Sequence, residues 1–214
     1  MKSLFLGILL IVVLGVGGFV YRNAVEHPAE PIACALDAKV CPDGTAVSRA
    51  GVSCAFPECP SPNVSLESVG IAFAVPDGFE PAALSDAASV AAYEMPVASS
   101  TASVIIRRYP ITASSTALET IRQTAIGGAS GKPVSATSFS STMIGMHRFT
   151  VVSIERFEGV IDTAYYLARG VDVLRFDAID RGVEDWTDPN LDLADLPAAR
   201  ALEKLLSTLQ NQQN

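Results

Sequence analysis

From Leu4 to Tyr21 the chain runs eighteen residues without a charge, between Lys2 and Arg22. At about 1.5 Å of rise per residue a helix of that length measures roughly 27 Å, close to a hydrocarbon core of about 30 Å. A buried soluble helix would carry a polar stripe, and Leu4-Phe5-Leu6-Gly7-Ile8-Leu9-Leu10-Ile11-Val12-Val13-Leu14 has none. The run therefore predicts a transmembrane helix over residues 4–21, with Phe19, Tyr21 and Arg22 at the interfacial end. Gly15-Val16-Gly17 also offers small residues at signal-peptide spacing, so the alternative is a cleaved leader and a secreted protein. Lys2 and the amino terminus outweigh Arg22, which favours an inside amino terminus and an extracytoplasmic remainder. The nearest cysteine is Cys34, too distant for a lipoprotein anchor.

All four cysteines lie just beyond this run, as Cys34-x6-Cys41-x12-Cys54-x4-Cys59. Zinc sites commonly pair thiolates two to four residues apart so that one short turn aims both sulfurs at the ion. The clustering, the even count and the position past an apolar segment point instead to two disulfides in an oxidising compartment. Apart from Leu36, Val40, Val47, Val52 and Phe56 the segment has little to bury, so the bridges must supply most of its stability, about 3 kcal/mol each for loops of this size. Pro42-Asp43-Gly44-Thr45 reads as the turn of a small hairpin. Three pairings are open, and the interleaved Cys34–Cys54 with Cys41–Cys59 is the one expected. The stretch Val40-Cys41-Pro42-Asp43-Gly44-Thr45 with Cys54 resembles part of a Kazal-type inhibitor module, with fewer cysteines than that family carries. That resemblance implies an alternative function, a secreted or anchored protease-inhibitor-like protein.

Pro57, Pro60 and Pro62 separate this module from the rest of the chain, and Pro28 and Pro31 precede it. With 49% apolar and 18% charged residues the chain can bury a core, which excludes a disordered protein. A net charge of -8 leaves no general basic surface for nucleic acid. Asn63-Val64-Ser65 is a glycosylation sequon, meaningful only in a eukaryotic secretory pathway.

Beyond residue 63 short extended runs dominate. Ile71 to Val75 ends at Pro76-Asp77-Gly78-Phe79; Val90 to Met95 and Ser103 to Tyr109 follow, the latter stopped by Pro110. Ser115 or Thr116 then caps a helix with an apolar face of Leu118, Ile121, Ala125 and Ile126, ending at Gly127-Gly128. A strand near Ala136 to Met143 precedes three long runs, Met146 to Phe157, Val160 to Arg169 and Val171 to Ile179. Turns at Glu158-Gly159 and Gly170 make these three an antiparallel meander. The closing helix, Leu196 to Leu209, places Leu202, Leu205, Leu206 and Leu209 on one face and Pro197 in its first turn.

This order of elements, with Pro76-Asp77-Gly78-Phe79, Val104 to Tyr109 leading into the helix at Leu118, and the closing Ala201-Leu202-Glu203-Lys204-Leu205-Leu206-Ser207-Thr208-Leu209, resembles the PsbP-like domain over residues 69–210. The resemblance implies a sandwich of helices around an antiparallel sheet, and binding or scaffolding rather than catalysis. It places no metal ligands.

The side chains available for chemistry are few. His27 and His147 are the only histidines, and no Gly-x-Ser-x-Gly elbow accompanies them; Ser140 and Ser141 fall in a polar link. Gly127-Gly128-Ala129-Ser130-Gly131-Lys132 lacks the strand and helix that flank a phosphate loop. The stretch Asp172 to Asp195 holds eight acids against Arg175 and Arg181 and reads as a solvated acidic loop, with Trp186 packing it onto the sheet or forming a contact surface. Within it Asp188, Asn190, Asp192 and Asp195 space oxygens as a weak candidate calcium loop, although Leu193 stands where an EF-hand needs Gly and no Glu closes the frame.

The sequence thus predicts an α+β protein: a transmembrane anchor or signal at 1–22, a linker and disulfide hairpin module at 23–62, and a PsbP-like domain with an antiparallel sheet and packed helices at 63–214. The expected role is a single-pass, membrane-anchored, extracytoplasmic binding or scaffold protein without catalytic residues. Its expected partners are the membrane through residues 4–21 and a protein or small ligand, with no nucleic acid and, calcium aside, no cofactor.

Overall fold

A computed structural model of the chain describes residues 12–19, 21–22, 34–41, 46–59, 61–97, 100–128 and 131–211. Residues 12–19 and 21–22 are helical, and among the described residues no helix is long and apolar enough to cross a membrane. The first part of the uncharged run, the spacer with His27, and the turn at 42–45 lie outside the described residues.

The chain forms two compact units, residues 1–38 with 48–57 and residues 39–47 with 58–214. β1 (Ala38–Val40) and β2 (Ala46–Ser48) make a two-stranded sheet. The cysteines pair in the interleaved manner, Cys34 with Cys54 inside the first unit and Cys41 with Cys59 inside the second. Arg49 organises the first unit. Its Nε and Nη2 donate to Asp37 at 2.7 and 3.1 Å, its Nη1 donates to the Cys54 carbonyl at 3.0 Å, and its guanidinium lies 4.2 Å from the Phe56 ring centre. Leu36 and Val52 remain exposed, so one cation and a disulfide do the work that a core does elsewhere.

The second unit is built on a seven-stranded antiparallel sheet. Chain order runs β3 (Val64–Leu66), β4 (Ile71–Phe73), β5 (Glu80–Pro81), β6 (Ser89–Val97), β7 (Ser100–Pro110), helix α1 (Ala117–Thr124), β8 (Ser140–Ile144), β9 (His147–Phe157), β10 (Val160–Ala168), β11 (Asp172–Arg181), helix α2 (Pro197–Ser207) and β12 (Gln210–Asn211). The large sheet has the order β5-β6-β7-β11-β10-β9-β8, and β12-β4-β3 form a small one. The expected meander is β9-β10-β11, turned first by Glu158 and Gly159 with φ of 49° and 75°, the left-handed pair that a two-residue hairpin demands.

β11 is the middle strand and is buried on both faces. Leu174, Phe176 and Ala178 join the core formed with Ile71, Phe73 and the α2 leucines. Val173 lies in the opposite cluster with Ile121 and Ala125 at α1. Leu202, Leu205, Leu206 and Leu209 are all buried, as the helical spacing requires. β4 stops at Phe73 because the next amide, Ala74, donates to the Thr208 hydroxyl at 2.8 Å rather than to a strand.

Helix α1 corrects one expectation. Thr116 caps it in a reciprocal box with Glu119, but it ends at Thr124, short of Gly127-Gly128. Its last carbonyl accepts from Arg175 Nη1 at 2.6 Å, and Ala125 leaves the helical region. A helix this short buries one turn, so Ile121 and Ala125 are inside while Leu118 and Ile126 are exposed.

Leu205→Ala, at a fully buried position, is expected to lose about 2–5 kcal/mol of unfolding free energy in urea. A loss under about 1 kcal/mol would contradict the packing of α2 on the sheet.

Candidate ligand-binding cleft

A cleft of about 600 Å³ opens at the end of the sheet where β10 turns into β11. Three connections build it. Gly170, with φ of 68°, lets the chain reverse so that the Arg169 amide donates to the Asp172 carbonyl at 2.9 Å. The 3-10 turn Glu67–Val69 between β3 and β4 forms a second wall, and His147 enters at the start of β9.

Asp172, wholly buried, fixes the charges of the cleft. Arg169 donates to both its oxygens, Nε to Oδ1 at 2.9 Å and Nη2 to Oδ2 at 2.8 Å, and Arg108 Nε donates to Oδ2 at 2.7 Å. Each guanidinium then reaches the 3-10 turn, Arg169 Nη1 to the Val69 carbonyl and Arg108 Nη1 to the Ser68 carbonyl at 3.3 Å. One carboxylate and two arginines thereby hold the β3–β4 corner against the sheet. His147 Nε2 lies 3.2 Å from the Leu209 carbonyl, which can only accept, so Nε2 carries the proton and Nδ1 is the open nitrogen.

A second polar group lies under α1. Asp177, fully buried, accepts from Arg107 Nη1 and, at 2.6 Å, from Arg175 Nε. Arg107 Nε also donates to Asp86 at 2.8 Å, and Asp86 in turn accepts from the Ala88 and Ser89 amides. Partial burial raises the Asp86 pKa, but the Arg107 hydrogen bond and charge and the Ser89 hydroxyl outweigh it and draw it down to about 2. Asp162 behaves oppositely. Burial, then the charge of Asp177, pushes it well above the usual carboxylate range against the pull of Arg175 and Arg107. Among the described residues its Oδ1 has no hydrogen-bond partner, and burial raises the pKa of the nearby Tyr166 hydroxyl to about 12.

The acidic stretch from Asp172 to Asp195 is not one solvated loop. Asp172, Asp177 and Asp180 are buried on β11, because the middle strand has no solvent face and their carboxylates have partners there. Only the acids from Glu184 onward lie in the connection to α2. That connection is pinned by Arg156, whose Nε and Nη2 donate to the carbonyls of Trp186 and Asp188, and by an edge-on contact of Trp186 with Phe157 at 6.1 Å. Of the proposed calcium oxygens, Asp188 Oδ1 accepts from Asn190, Asp192 Oδ1 accepts from the Ala194 amide, and Asp195 pairs with Arg200 at 2.6 Å. Among the described residues no three His, Cys, Asp or Glu side chains are grouped so as to hold a metal ion. The cleft residues Arg108, His147 and the i,i+3 pair Arg169 and Asp172 come from three separate stretches and share no motif; the tandem Arg107-Arg108 beside a strand of buried acids is the one sequence signal that precedes them.

No protein-family model matches the chain, and no curated protein does. Solved structures similar to it include a crystal structure from Bacteroides thetaiotaomicron, 12% identical with a TM-score of 0.45, covering 72% of this chain and 49% of that one. This chain thus spans about half the length of that protein. They also include the solution structure of the cyanobacterial PsbP protein CyanoP from Synechocystis, 12% identical with a TM-score of 0.42, covering 67% of this chain and 88% of that one.

Because the folded-state pKa of Asp162 lies above the unfolded value near 3.8, its contribution to stability is complete below about pH 4 and falls as pH rises. Asp162→Asn removes that loss. The variant is expected to have a higher urea midpoint than the parent at pH 7, with the gap closing toward pH 4; a lower midpoint at pH 7 would contradict the assignment.

Proposed function

We propose that this chain is a membrane-anchored extracytoplasmic protein that acts by binding or scaffolding, without catalysis. The observation that carries this reading is the pair of interleaved disulfides directly after an uncharged apolar run. Disulfides belong to oxidising compartments, and a segment with an exposed Leu36 and Val52 depends on them. Residues 4–21 are the proposed anchor, orienting everything from the module onward outside. The domain that follows directs its buried charged groups inward, to dock its own elements, and offers a solvent-open cleft of small-molecule size at the β10–β11 turn.

Fractionation tests the reading. The full chain is expected in the membrane pellet after a high-salt wash, soluble only in detergent, digestible by a protease added to the outer face, and without thiols reactive to alkylation when denatured unreduced. Protection from that protease, or four free thiols, would contradict it.

A further inference from the structure

Resting on the reading of this domain as a binding module, we propose that the cleft at the β10–β11 turn is an oxyanion site, taking a carboxylate or phosphate group on the guanidinium of Arg108. Two guanidinium groups share one buried carboxylate there, and Glu67 on the same lining brings the formal charge of the cavity to zero, so what the site offers an anion is a held donor and not a net field. The two arginines differ in availability. Arg169 engages Nε, Nη1 and Nη2 with Asp172 and Val69, and its side chain is 20% exposed. Arg108 engages Nε and Nη1, and its side chain is 42% exposed. Its guanidinium plane is therefore fixed in advance by Asp172 and Ser68, while Nη2 makes no hydrogen bond among the described residues. A planar donor held in place at the edge of a solvent-open cavity is the arrangement that recognises carboxylate and phosphate oxygens.

Three neighbours shape what the anion is attached to. His147, committed through Nε2 to the Leu209 carbonyl, leaves Nδ1 to accept from a ligand hydroxyl. Leu167 and Val171 give the same cavity an apolar wall. Glu67, exposed on the opposing wall, is the acid that works against the site. The volume of about 600 Å³ fits a small molecule or a single headgroup.

The test is an amide NMR titration of the full chain in phosphatidylcholine nanodiscs, with inorganic phosphate or acetate against chloride at equal ionic strength. A parallel arm replaces part of the phosphatidylcholine with phosphatidylglycerol and adds no soluble anion. Saturable shifts of the Gly70 and Val171 amides are expected, weakened roughly tenfold in Arg108→Gln and strengthened about twofold in Glu67→Gln. Arg200→Gln, whose parent side chain sits in an exposed pair with Asp195, is expected to leave them unchanged. Shifts in the soluble arm assign a free ligand, and Arg108-dependent shifts in the lipid arm assign a headgroup; either supports the site. Absence of saturable shifts in both arms, or equal shifts in Arg108→Gln with an unchanged amide spectrum elsewhere, overturns it. Neither result bears on membrane attachment or on the thiols, so the broader reading stands or falls separately.

Discussion

Three buried carboxylates on the middle strand hold the second unit together. Asp172, Asp177 and Asp180 lie on β11, and each attaches a different peripheral element to the sheet. Asp172 gathers Arg108 and Arg169, which reach the carbonyls of the β3–β4 corner. Asp177 gathers Arg107 and Arg175, and Arg175 holds the last carbonyl of α1. Asp180 accepts from the Ala198 amide at 2.9 Å and so caps α2, whose own N-cap position is Leu196 with no side-chain bond. A carboxylate from the sheet replaces the usual local cap and meets the positive end of the helix dipole.

Buried ion pairs add little net stability, because desolvation offsets much of their attraction, but breaking one leaves an unpaired charge at a cost of about 3–5 kcal/mol. Their effect in this protein is to fix where apolar elements dock. The leucines of α2 are tolerant of small rotations, whereas a capping carboxylate is not. Helix α1 shows the same division, since Ile121 and Ala125 supply its apolar contact and Arg175 sets its end. Asp162 is the exception that a two-arginine network leaves over: burial and the charge of Asp177 outweigh the cations near it.

What the sequence revealed followed from periodicity. The meander and its Glu158-Gly159 turn, the Thr116 cap and the inward face at Leu202, Leu205, Leu206 and Leu209 are all local patterns with a local cause. The carboxylates of β11 were hidden because composition counts an acid as a solvated group. Asp-Val-Leu-Arg-Phe-Asp-Ala-Ile-Asp-Arg does not alternate, since the middle strand serves two cores and carries polar anchors on both faces. Register was the missing information: pairing sets Arg107 opposite Arg175 and Arg108 opposite Leu174, next to the acids they neutralise. The cleft was less legible still, because stretches far apart in the chain meet only after the sheet has formed.

The division of labour along β11 is tested most directly by native-state amide hydrogen exchange on the three single variants Asp172→Asn, Asp177→Asn and Asp180→Asn. The account predicts that each accelerates exchange in its own element: the amides near Val69 and Gly70 for the first, those closing α1 at Thr124 and Ala125 for the second, and those of Ala198 and Ala199 in the first turn of α2 for the third. Uniform acceleration across the domain in all three, or no acceleration at those amides, would contradict it.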